Sequence, residues 1–227
     1  MKAATATVLT CEGLSTSLDP GAGSFDLKVR PGECIVFAGV EADSVHHLGD
    51  LFLGLHTPAR GRVAFGGGDW QTMDPREAEH CRRQIGRVVA APGRAAWLQN
   101  LDVEENVYLA RQFEAGVSHA ALRQRAQNYC HLFGLDALPT TRPAATSSDI
   151  LMRAQWVRAF LPEPLRLLVL EAPDWGAKAE SSGRLREQVR RARGAGAAVI
   201  WIDLGAAAGL DETLRYDGVP QAVGRRL

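Results

Sequence analysis

The segment 32–55 constrains the fold of this 227-residue chain more than any other part of it. Residues 34–38 are compact and apolar, which is typical of a strand buried inside a sheet. This strand runs directly into Gly39, and the largely apolar segment 46–55 predicts a helix soon afterwards. A buried strand, a glycine turn and a helix in this order are the unit from which α/β folds with a parallel sheet are built.

The turn between this strand and helix resembles a phosphate-binding loop that has lost its chemistry. Such a loop reads G-x-x-x-x-G-K-[ST], and its lysine and hydroxyl contact the phosphates and Mg²⁺. Here Gly39 is kept, and the last three motif positions are Ser44, Val45 and His46. The loop also contains Glu41 and Asp43. One like-charge contact at ~4 Å costs about 4 kcal/mol at an effective dielectric of about 20, so we expect ordinary triphosphate binding to be lost.

The rest of the chain alternates between strand and helix patterns. Predicted strands are 5–11, 25–29, 34–38, 62–65, 85–90, 165–170 and 197–202. Predicted helices are 46–55, 75–84, 101–113, 118–133, 150–161 and 182–193. Ser118 is a suitable N-cap, and Gly134 a suitable C-terminal stop, for the fourth helix. We predict one domain over 1–227, with a sheet core in 1–90 and 164–227 and a helical subdomain in 91–163.

Composition excludes several classes of function. The 26 basic and 26 acidic residues balance, so no global field favours nucleic acid or an anionic membrane. An arginine-rich stretch, 184–193, falls on a predicted helix and is interpreted as a solvated face. The four cysteines lack C-x-x-C spacing, and the adjacent His46 and His47 point apart on a helix, so we predict no metal. No apolar run approaches the ~18 residues that span a bilayer, and we predict a cytoplasmic location.

Several segments around this unit resemble the ATP-binding subunits of ABC transporters. They are 29–33 (VRPGE), 54–63, 101–107 (LDVEENV), 153–159 (RAQWVRA) and 163–173, which ends in LLVLEAP. The third is similar to the family's "T-V-x-E-N-V", the fourth to "R-x-A-L-A-R-A" and the last to "L-L-L-L-D-E-P". The resemblance implies an α/β, P-loop NTPase-like fold. It has a mostly parallel sheet with helices on both faces, an N-terminal antiparallel β part and a helical insertion.

The resemblance also shows which functional positions of the family are changed. Glu171 stands for the metal-binding aspartate, and Ala172 replaces the catalytic glutamate. The L-S-G-G-Q signature keeps only its serine, and its central positions are Ser147, Ser148 and Asp149. The adenine-stacking aromatic, the glutamine after the strand 85–90 and the switch histidine correspond to Thr16, Ala90 and 203–204. We interpret Gly39 as a tight turn, Asp149 as a helix cap and Glu171 as a structural carboxylate.

These changes favour a subunit without catalytic residues. Family members dimerise with each ATP between the P-loop of one subunit and the signature of the other, and here both halves are altered. The resemblance therefore implies a catalytically degenerate ATP-binding subunit, or pseudo-ATPase, with no cofactor unless the altered site still binds ATP and Mg²⁺. Two alternatives stay open. One is an active ATP-hydrolysing subunit that uses Glu171, and the other is a soluble protein-interaction adapter on the same scaffold.

The resemblance also predicts partners. A transmembrane permease would dock on the loop and helix 91–106, with apolar contacts from Trp97, Leu98 and Leu101, although Trp97 fits a local core equally well. The chain would lie at the inner face of the membrane, as a homodimer or as a heterodimer with another ABC ATPase. The segment 95–103 (AAWLQNLDV) is similar to the "S-A-L-F-x-D-M-x-V" stretch of phospholipid-trafficking MCE ATPases, which suggests lipid transport.

Overall fold

A computed structural model describes residues 7–15, 23–40, 42–89, 96–112 and 116–204. The strands are β1 (Leu9–Ser15), β2 (Phe25–Val29), β3 (Cys34–Phe37), β4 (Arg60–Phe65), β5 (Gly68–Asp69), β6 (Ile85–Val88), β7 (Leu167–Glu171) and β8 (Ala198–Ile202). The helices are α1 (Ala42–Phe52), α2 (Pro75–Arg82), α3 (Val103–Tyr108), α4 (His119–Leu132), α5 (Ser148–Phe160) and α6 (Ala179–Gly194). A 3-10 turn, Pro143–Ala145, precedes α5.

Four strands form a parallel sheet in the order β3-β8-β7-β6. Every residue of β3, β7 and β8 is buried, as expected for parallel strands that are covered on both faces. Successive side chains point to opposite faces, so Val169 and Ile200 enter one apolar cluster while Leu168 and Val199 enter another. The parallel sheet therefore separates two cores.

The first core lies between the parallel sheet, α1 and a second sheet. The second sheet is antiparallel, in the order β2-β1-β4-β5. Phe37 of β3 contacts Phe25 of β2 and Phe52 of α1, with ring centroids 5.9 and 5.6 Å apart. These aromatic contacts fix the angle at which α1 leaves the loop after β3.

The second core lies between the other face of the parallel sheet and helices α3 to α6. Phe133, at the end of α4, is fully buried, and its ring lies 5.5 Å from Trp156 and 5.4 Å from Phe160 of α5. The Trp156 indole N–H donates to the Pro173 carbonyl at 2.8 Å, which satisfies a buried donor. This bond ties α5 to the turn after β7.

The predicted fold class is confirmed. The chain is α/β with a mostly parallel sheet, helices on both faces, an N-terminal antiparallel sheet and helices after β6. Ser118 accepts from the Ala121 N–H at 3.4 Å as the N-cap of α4, and Gly134 follows its end with a φ of 75°. No helix in the described part of the chain is long and apolar enough to cross a membrane.

Several predicted bounds are wrong, and local caps and strand pairing explain them. In the described residues the first strand lies at Leu9–Ser15 and passes its predicted end at residue 11, because its pairing with β4 continues to Ser15; residues 5 and 6 lie outside the described part of the chain. Helix α3 spans only Val103–Tyr108, because a capping box between Asp102 and Glu105 fixes its start. Helix α1 starts at Ala42 and not at residue 46, so most of the predicted P-loop positions are helical.

Candidate functional site

The chain turns at Gly39 between β3 and α1. Gly39 has a φ of 72°, which favours glycine, and the Val40 N–H donates to the Asp203 carbonyl at 3.1 Å. Val45, which stands at the lysine position of a P-loop, is fully buried in the first core. This side chain therefore contributes packing, and no charge, to the loop.

The carboxylate of Glu171 lies at the end of β7 and is fully buried. His46 Nδ1 lies 2.7 Å from its Oε2, and Arg87 Nε donates to its Oε1 at 2.6 Å. Arg87 Nη2 also contacts Oε1. Arg87 Nη1 donates to Oδ1 of the buried Asp50 at 2.7 Å. We call Glu171, Arg87, Asp50 and His46 the four-residue cluster.

The four-residue cluster joins groups from one helix and two strands. Its charged groups are two carboxylates and one guanidinium, and the tautomer of His46 decides whether its Nδ1 donates to or accepts from Glu171. His46 Nε2 is buried and has no hydrogen-bond partner among the described residues. Removing one member of a buried ion pair typically costs about 3–5 kcal/mol, because the other charge stays buried. The cluster therefore fixes α1 against β6 and β7.

Gly49 allows this close approach. A Cβ atom at position 49 would lie 2.8 Å from Arg87 Nη2 and 3.0 Å from Glu171 Cδ, and nearer still to Oε1. Real Cβ atoms do not approach other heavy atoms so closely, so any other side chain here would displace the carboxylate or the helix. Helix α1 thus carries a glycine in its interior, where glycine is normally unfavourable.

Reading the sequence alone missed Arg87, Asp50 and Gly49 as site residues. The sequence did contain a signal for two of these residues. Arg87 interrupts an apolar strand, and Asp50 interrupts an apolar stretch of helix. Charged side chains in such positions are expected to be buried and therefore to need partners. The partners themselves were not marked, since Arg87 is 37 residues from Asp50 and 84 from Glu171 in sequence.

The altered signature forms the start of α5. Ser147 is the N-cap, without a side-chain cap hydrogen bond, and Ser148 is the first helical residue. The interpretation of Asp149 as the cap is wrong: it lies within the first turn, where its carboxylate pairs with Arg153. Arg153 also donates to the Gly134 carbonyl at 2.6 Å. This part of α5 is therefore held against the end of α4.

Ala172 follows β7 and begins a tight turn. Its φ is 39°, which is unusual for a residue with a side chain, and its N–H donates to the Ile202 carbonyl at 2.7 Å. The methyl group offers no proton donor or acceptor for hydrolysis. The chain then continues to Trp175, whose side chain is 59% exposed.

The predicted docking residues differ in exposure. Trp97, for which a docking contact and a local core were both open, is buried beneath the Arg158 guanidinium, which lies 4.9 Å from the ring centroid. Burial, together with the nearby charge of Arg87, lowers the pKa of Arg158 to about 10. Leu98 is 49% exposed, and Leu101 is partly buried. Of the three, Leu98 offers the most open apolar surface.

Asn106 holds this loop in place. Its side-chain oxygen accepts from the Leu98 N–H at 2.8 Å, and its amide donates to the carbonyls of Leu98, Leu101 and Asp102 at 3.0, 3.2 and 2.9 Å. These bonds satisfy loop backbone groups that no helix or strand pairs. The asparagine of the predicted "E-N-V" segment therefore fixes the exposed Leu98.

A cavity of about 530 Å³ opens between the end of β6, the start of α5 and the turn after β7. Its lining is mostly apolar and includes Trp97, Asp149, Leu151, Met152, Pro173 and Trp175. A smaller cavity of about 280 Å³ lies on the other side of Trp97, beside Leu98 and Arg158.

Some predicted positions fall outside the described residues. They are Thr16, Glu41, Ala90, the side chain of Asp43 and the docking positions 91–95. The segment 203–204, at the switch position, follows β8 directly, and the Asp203 N–H donates to the Phe37 carbonyl at 2.7 Å. Among the described residues, no group of three or more His, Cys, Asp or Glu side chains is arranged so that it could hold a metal ion.

The fold and the loop after β3 place the chain among α/β proteins of the P-loop nucleotide-binding class. No protein-family model matches it. The lipoprotein-releasing system ATP-binding protein LolD of Cereibacter sphaeroides is 30% identical over 199 residues, which cover 84% of this chain and 85% of LolD. The chain therefore belongs to the family of ATP-binding subunits of ABC transporters.

Other relatives are longer than this chain. The ribose import ATP-binding protein RbsA 3 of Rhizobium meliloti is 26% identical over 79% of this chain and 34% of its own length. The sulfate/thiosulfate import ATP-binding protein CysA of Brucella melitensis is 28% identical over 75% of this chain and 46% of its own. The chain thus matches between a third and a half of these two relatives.

Solved structures agree in fold. An ATP-binding subunit of an ABC transporter superimposes with a TM-score of 0.70 at 22% identity, covering 87% of this chain and 79% of its own. The ATP-binding cassette MJ0796, a dimer bound to ADP and Pi in a post-hydrolysis state, gives a TM-score of 0.73 at 17% identity over 86% and 87%. At these identities the likeness concerns the fold alone.

Proposed function

We propose that this chain is a catalytically degenerate ATP-binding subunit, a pseudo-ATPase that serves as a structural or regulatory component of an ABC transporter. The observation that carries the proposal is the Glu171 carboxylate. It is fully buried, and protein side chains contact both of its oxygens, His46 at Oε2 and Arg87 at Oε1. In the family this carboxylate position serves a metal ion.

The residues present do not fit a magnesium–triphosphate complex. Mg²⁺ demands oxygen ligands at about 2.0–2.1 Å in octahedral geometry. His46, at the position of the family's hydroxyl ligand, instead contacts Glu171 directly at 2.7 Å, which leaves no space for an ion between them. Val45 supplies no positive charge for a phosphate, because its side chain is apolar and buried. We derive no hydrolytic step through this site.

Arg87 also opposes binding of a metal ion beside Glu171. Its guanidinium lies between Glu171 and Asp50, so it already neutralises the charge that a metal ion would neutralise. An ion entering beside Glu171 would meet the positive guanidinium at close range. Displacing Arg87 would leave a buried charge unpaired, at a cost of about 3–5 kcal/mol.

Calorimetry with Mg²⁺ and ATP tests the proposal on the full chain. We expect no binding at micromolar nucleotide, and micromolar, magnesium-dependent affinity would refute the proposal. ATP hydrolysis that Glu171→Gln abolishes would establish the alternative of an active subunit. Glu180→Gln is the matched control, because Glu180 is a glutamate of an exposed ion pair with Arg184 on α6.

A second set of variants tests the role of Arg87. Ser44→Gly, Val45→Lys and His46→Ser together restore the motif residues in the described part of the loop. We expect this triple variant to stay without nucleotide affinity while Arg87 is present. Recovery of micromolar binding by the triple variant alone would show that the four-residue cluster does not block the site.

The proposed setting is the cytoplasmic face of a membrane, where the chain would bind a transmembrane permease. ATP-binding subunits of ABC transporters work with such permeases, and Leu98 presents an exposed apolar side chain on a loop that Asn106 holds rigidly. The buried Trp97 would support this surface from below. The partner ATPase, a second copy or a different subunit, is part of the same proposal.

We further propose a lipid or lipid-linked cargo. Two observations support it: the segment 95–103 resembles that of phospholipid-trafficking ATPases, and LolD, whose name assigns it to a lipoprotein-releasing system, matches over most of both chains. Reconstitution with the permease and lipid vesicles would test it, and transport of sugar or sulfate alone would refute it.

A further inference from the structure

Two histidines face each other beside the C-terminal half of α1. His47 lies within the helix, and His56 follows its end by four residues. Their Nδ1 atoms are 3.4 Å apart, while the ring centroids are 5.6 Å apart, so the two rings meet through their nitrogen edges. His46 contacts Glu171 instead, so the adjacent histidines of α1 serve different contacts. We call His47 and His56 the histidine pair.

The distance between the two nitrogens suits a metal ion better than a hydrogen bond. Hydrogen bonds from N–H groups are typically about 2.7–3.2 Å long, and 3.4 Å lies beyond that range. Zinc binds imidazole nitrogen at about 2.0–2.1 Å in tetrahedral geometry, which places two ligand nitrogens about 3.3–3.4 Å apart. When neither Nδ1 carries a proton, two lone pairs face each other. An ion between the rings replaces this repulsion by two ligand bonds.

We propose that the histidine pair binds a zinc ion, with water completing the coordination. Imidazole nitrogen suits zinc, copper and nickel, whereas Mg²⁺ and Ca²⁺ prefer oxygen ligands. The 3.4 Å separation favours tetrahedral zinc over square-planar copper, in which neighbouring ligands lie about 2.8 Å apart. The site is open, unlike a structural zinc site with four protein ligands. The proposal goes beyond the proposed function, because it involves no nucleotide.

A buried carboxylate favours a cation at the histidine pair. Oδ2 of Asp50 lies 3.9 Å from His56 Nδ1, and the Asp50 side chain is buried. Two ligands of one tetrahedral ion lie about 3.3–3.4 Å apart, so at this distance Asp50 attracts the ion without binding it. Arg87 donates to the other oxygen, Oδ1, at 2.7 Å, which fixes the orientation of the carboxylate. Asp50 therefore links the histidine pair to the four-residue cluster.

The histidine pair is accessible, and the backbone that carries it is ordered. The His56 side chain is 51% exposed and His47 is partly buried, so an ion can reach the pair from solvent. The Leu55 N–H donates to the Asp50 carbonyl at 2.8 Å, which holds the turn after α1 against the helix. The ligands are therefore positioned before the ion arrives, which lowers the entropy cost of binding. A bound ion would clamp the end of α1 to the turn that leads into β4.

Calorimetric titration of the full chain with zinc chloride, without nucleotide, tests the proposal. We expect a dissociation constant of about 10–100 µM, because two protein ligands hold the ion instead of four. Magnesium chloride should give no binding. His56→Gln should weaken zinc binding at least about 10-fold, whereas His119→Gln, at an exposed histidine of α4, should not. Absence of zinc binding, or equal affinities of the two variants, would overturn the proposal.

Urea denaturation distinguishes one shared ion from separate contacts of each histidine. Zinc at about 1 mM should raise the urea midpoint of the wild-type chain, because an ion that binds the folded state stabilises it. EDTA should reverse the rise. His47→Gln and His56→Gln should each remove it completely, and the double variant should show no further change, because either substitution alone breaks the two-ligand site. A rise that persists in either single variant would overturn the proposal. The midpoint of His56→Gln without zinc serves as the folding control, because His56 is exposed.

The two proposals fail separately. Binding of Mg²⁺ and ATP would refute the pseudo-ATPase proposal and leave the zinc site standing, because the zinc titration contains no nucleotide. Zinc binding that does not depend on the histidine pair would refute the zinc site and leave the nucleotide titration untouched.

Discussion

Replacing Gly49 by alanine tests the four-residue cluster through stability. In an ordinary helix interior this change stabilises by about 1 kcal/mol, because glycine is the poorer helix former. At position 49 the new Cβ would lie 2.8 Å from Arg87 Nη2 and 3.0 Å from Glu171 Cδ. Relieving the overlap separates a buried ion pair, which costs about 3–5 kcal/mol. We therefore expect Gly49→Ala to lower the free energy of unfolding by about 2–4 kcal/mol.

A second glycine provides the control. Gly183 lies inside α6, and a Cβ there would meet no atom within 4 Å. Gly183→Ala should therefore show the helix-propensity effect alone, a gain of up to about 1 kcal/mol. The same chemical change would then have opposite signs in two helices of one protein.

Urea denaturation measures both variants. A change in the midpoint with an unchanged slope reports stability and not the extent of unfolding. Combining Gly49→Ala with Glu171→Ala should give a loss smaller than the sum of the single losses, because the methyl group then has no carboxylate to displace. A Gly49→Ala protein as stable as Gly183→Ala would refute the argument that close packing of the cluster requires glycine.

Two further predictions concern the cysteines and the docking loop. Burial raises the pKa of Cys11 to about 12 and those of Cys34 and Cys130 to about 11. These thiols therefore stay protonated in the folded chain at pH values at which the same thiols ionise in the unfolded chain. Their stabilising contribution is present below about pH 9 and is lost as the pH rises through these values, and urea midpoints at rising pH should fall less steeply after cysteine-to-alanine replacement. Leu98→Asp should abolish co-purification with the permease, whereas Leu55→Asp, at a side chain of similar exposure, should not. Equal recovery of the permease with both variants would contradict the placement of the docking surface at Leu98.

Local sequence patterns were enough to predict most elements of the fold. The segment 34–38 reads as a buried strand because its residues are continuously apolar, and β3 occupies Cys34–Phe37. The alternation in Phe25–Val29 matches the observed strand bounds, because one face of β2 is buried and the other exposed. These patterns indicate which side chains are buried, and they can be read from residues that are neighbours in the chain.

Non-local contacts explain what the sequence did not reveal. The end of β1 at Ser15 depends on pairing with β4, and the burial of Trp97 depends on Arg158, which is 61 residues away. The four-residue cluster is the clearest case, because neither Asp50 nor Arg87 has a local pattern that names its partner. The altered P-loop and acidic motifs identified His46 and Glu171 as site residues. Only the fold shows that Arg87 and Asp50 lie beside them.

The four-residue cluster has a consequence for how this chain can evolve. Loss of Arg87 alone would leave two carboxylates buried together, and loss of Glu171 or Asp50 alone would remove one of the two carboxylates that accept hydrogen bonds from its guanidinium. Gly49 adds to the constraint, because a side chain at that position fits only after the carboxylate has gone. No single substitution in the cluster is neutral, so its members are expected to be inherited and replaced as a unit. A descendant that regained a metal-binding carboxylate would have to pass through less stable intermediates, which makes the present arrangement an epistatic barrier.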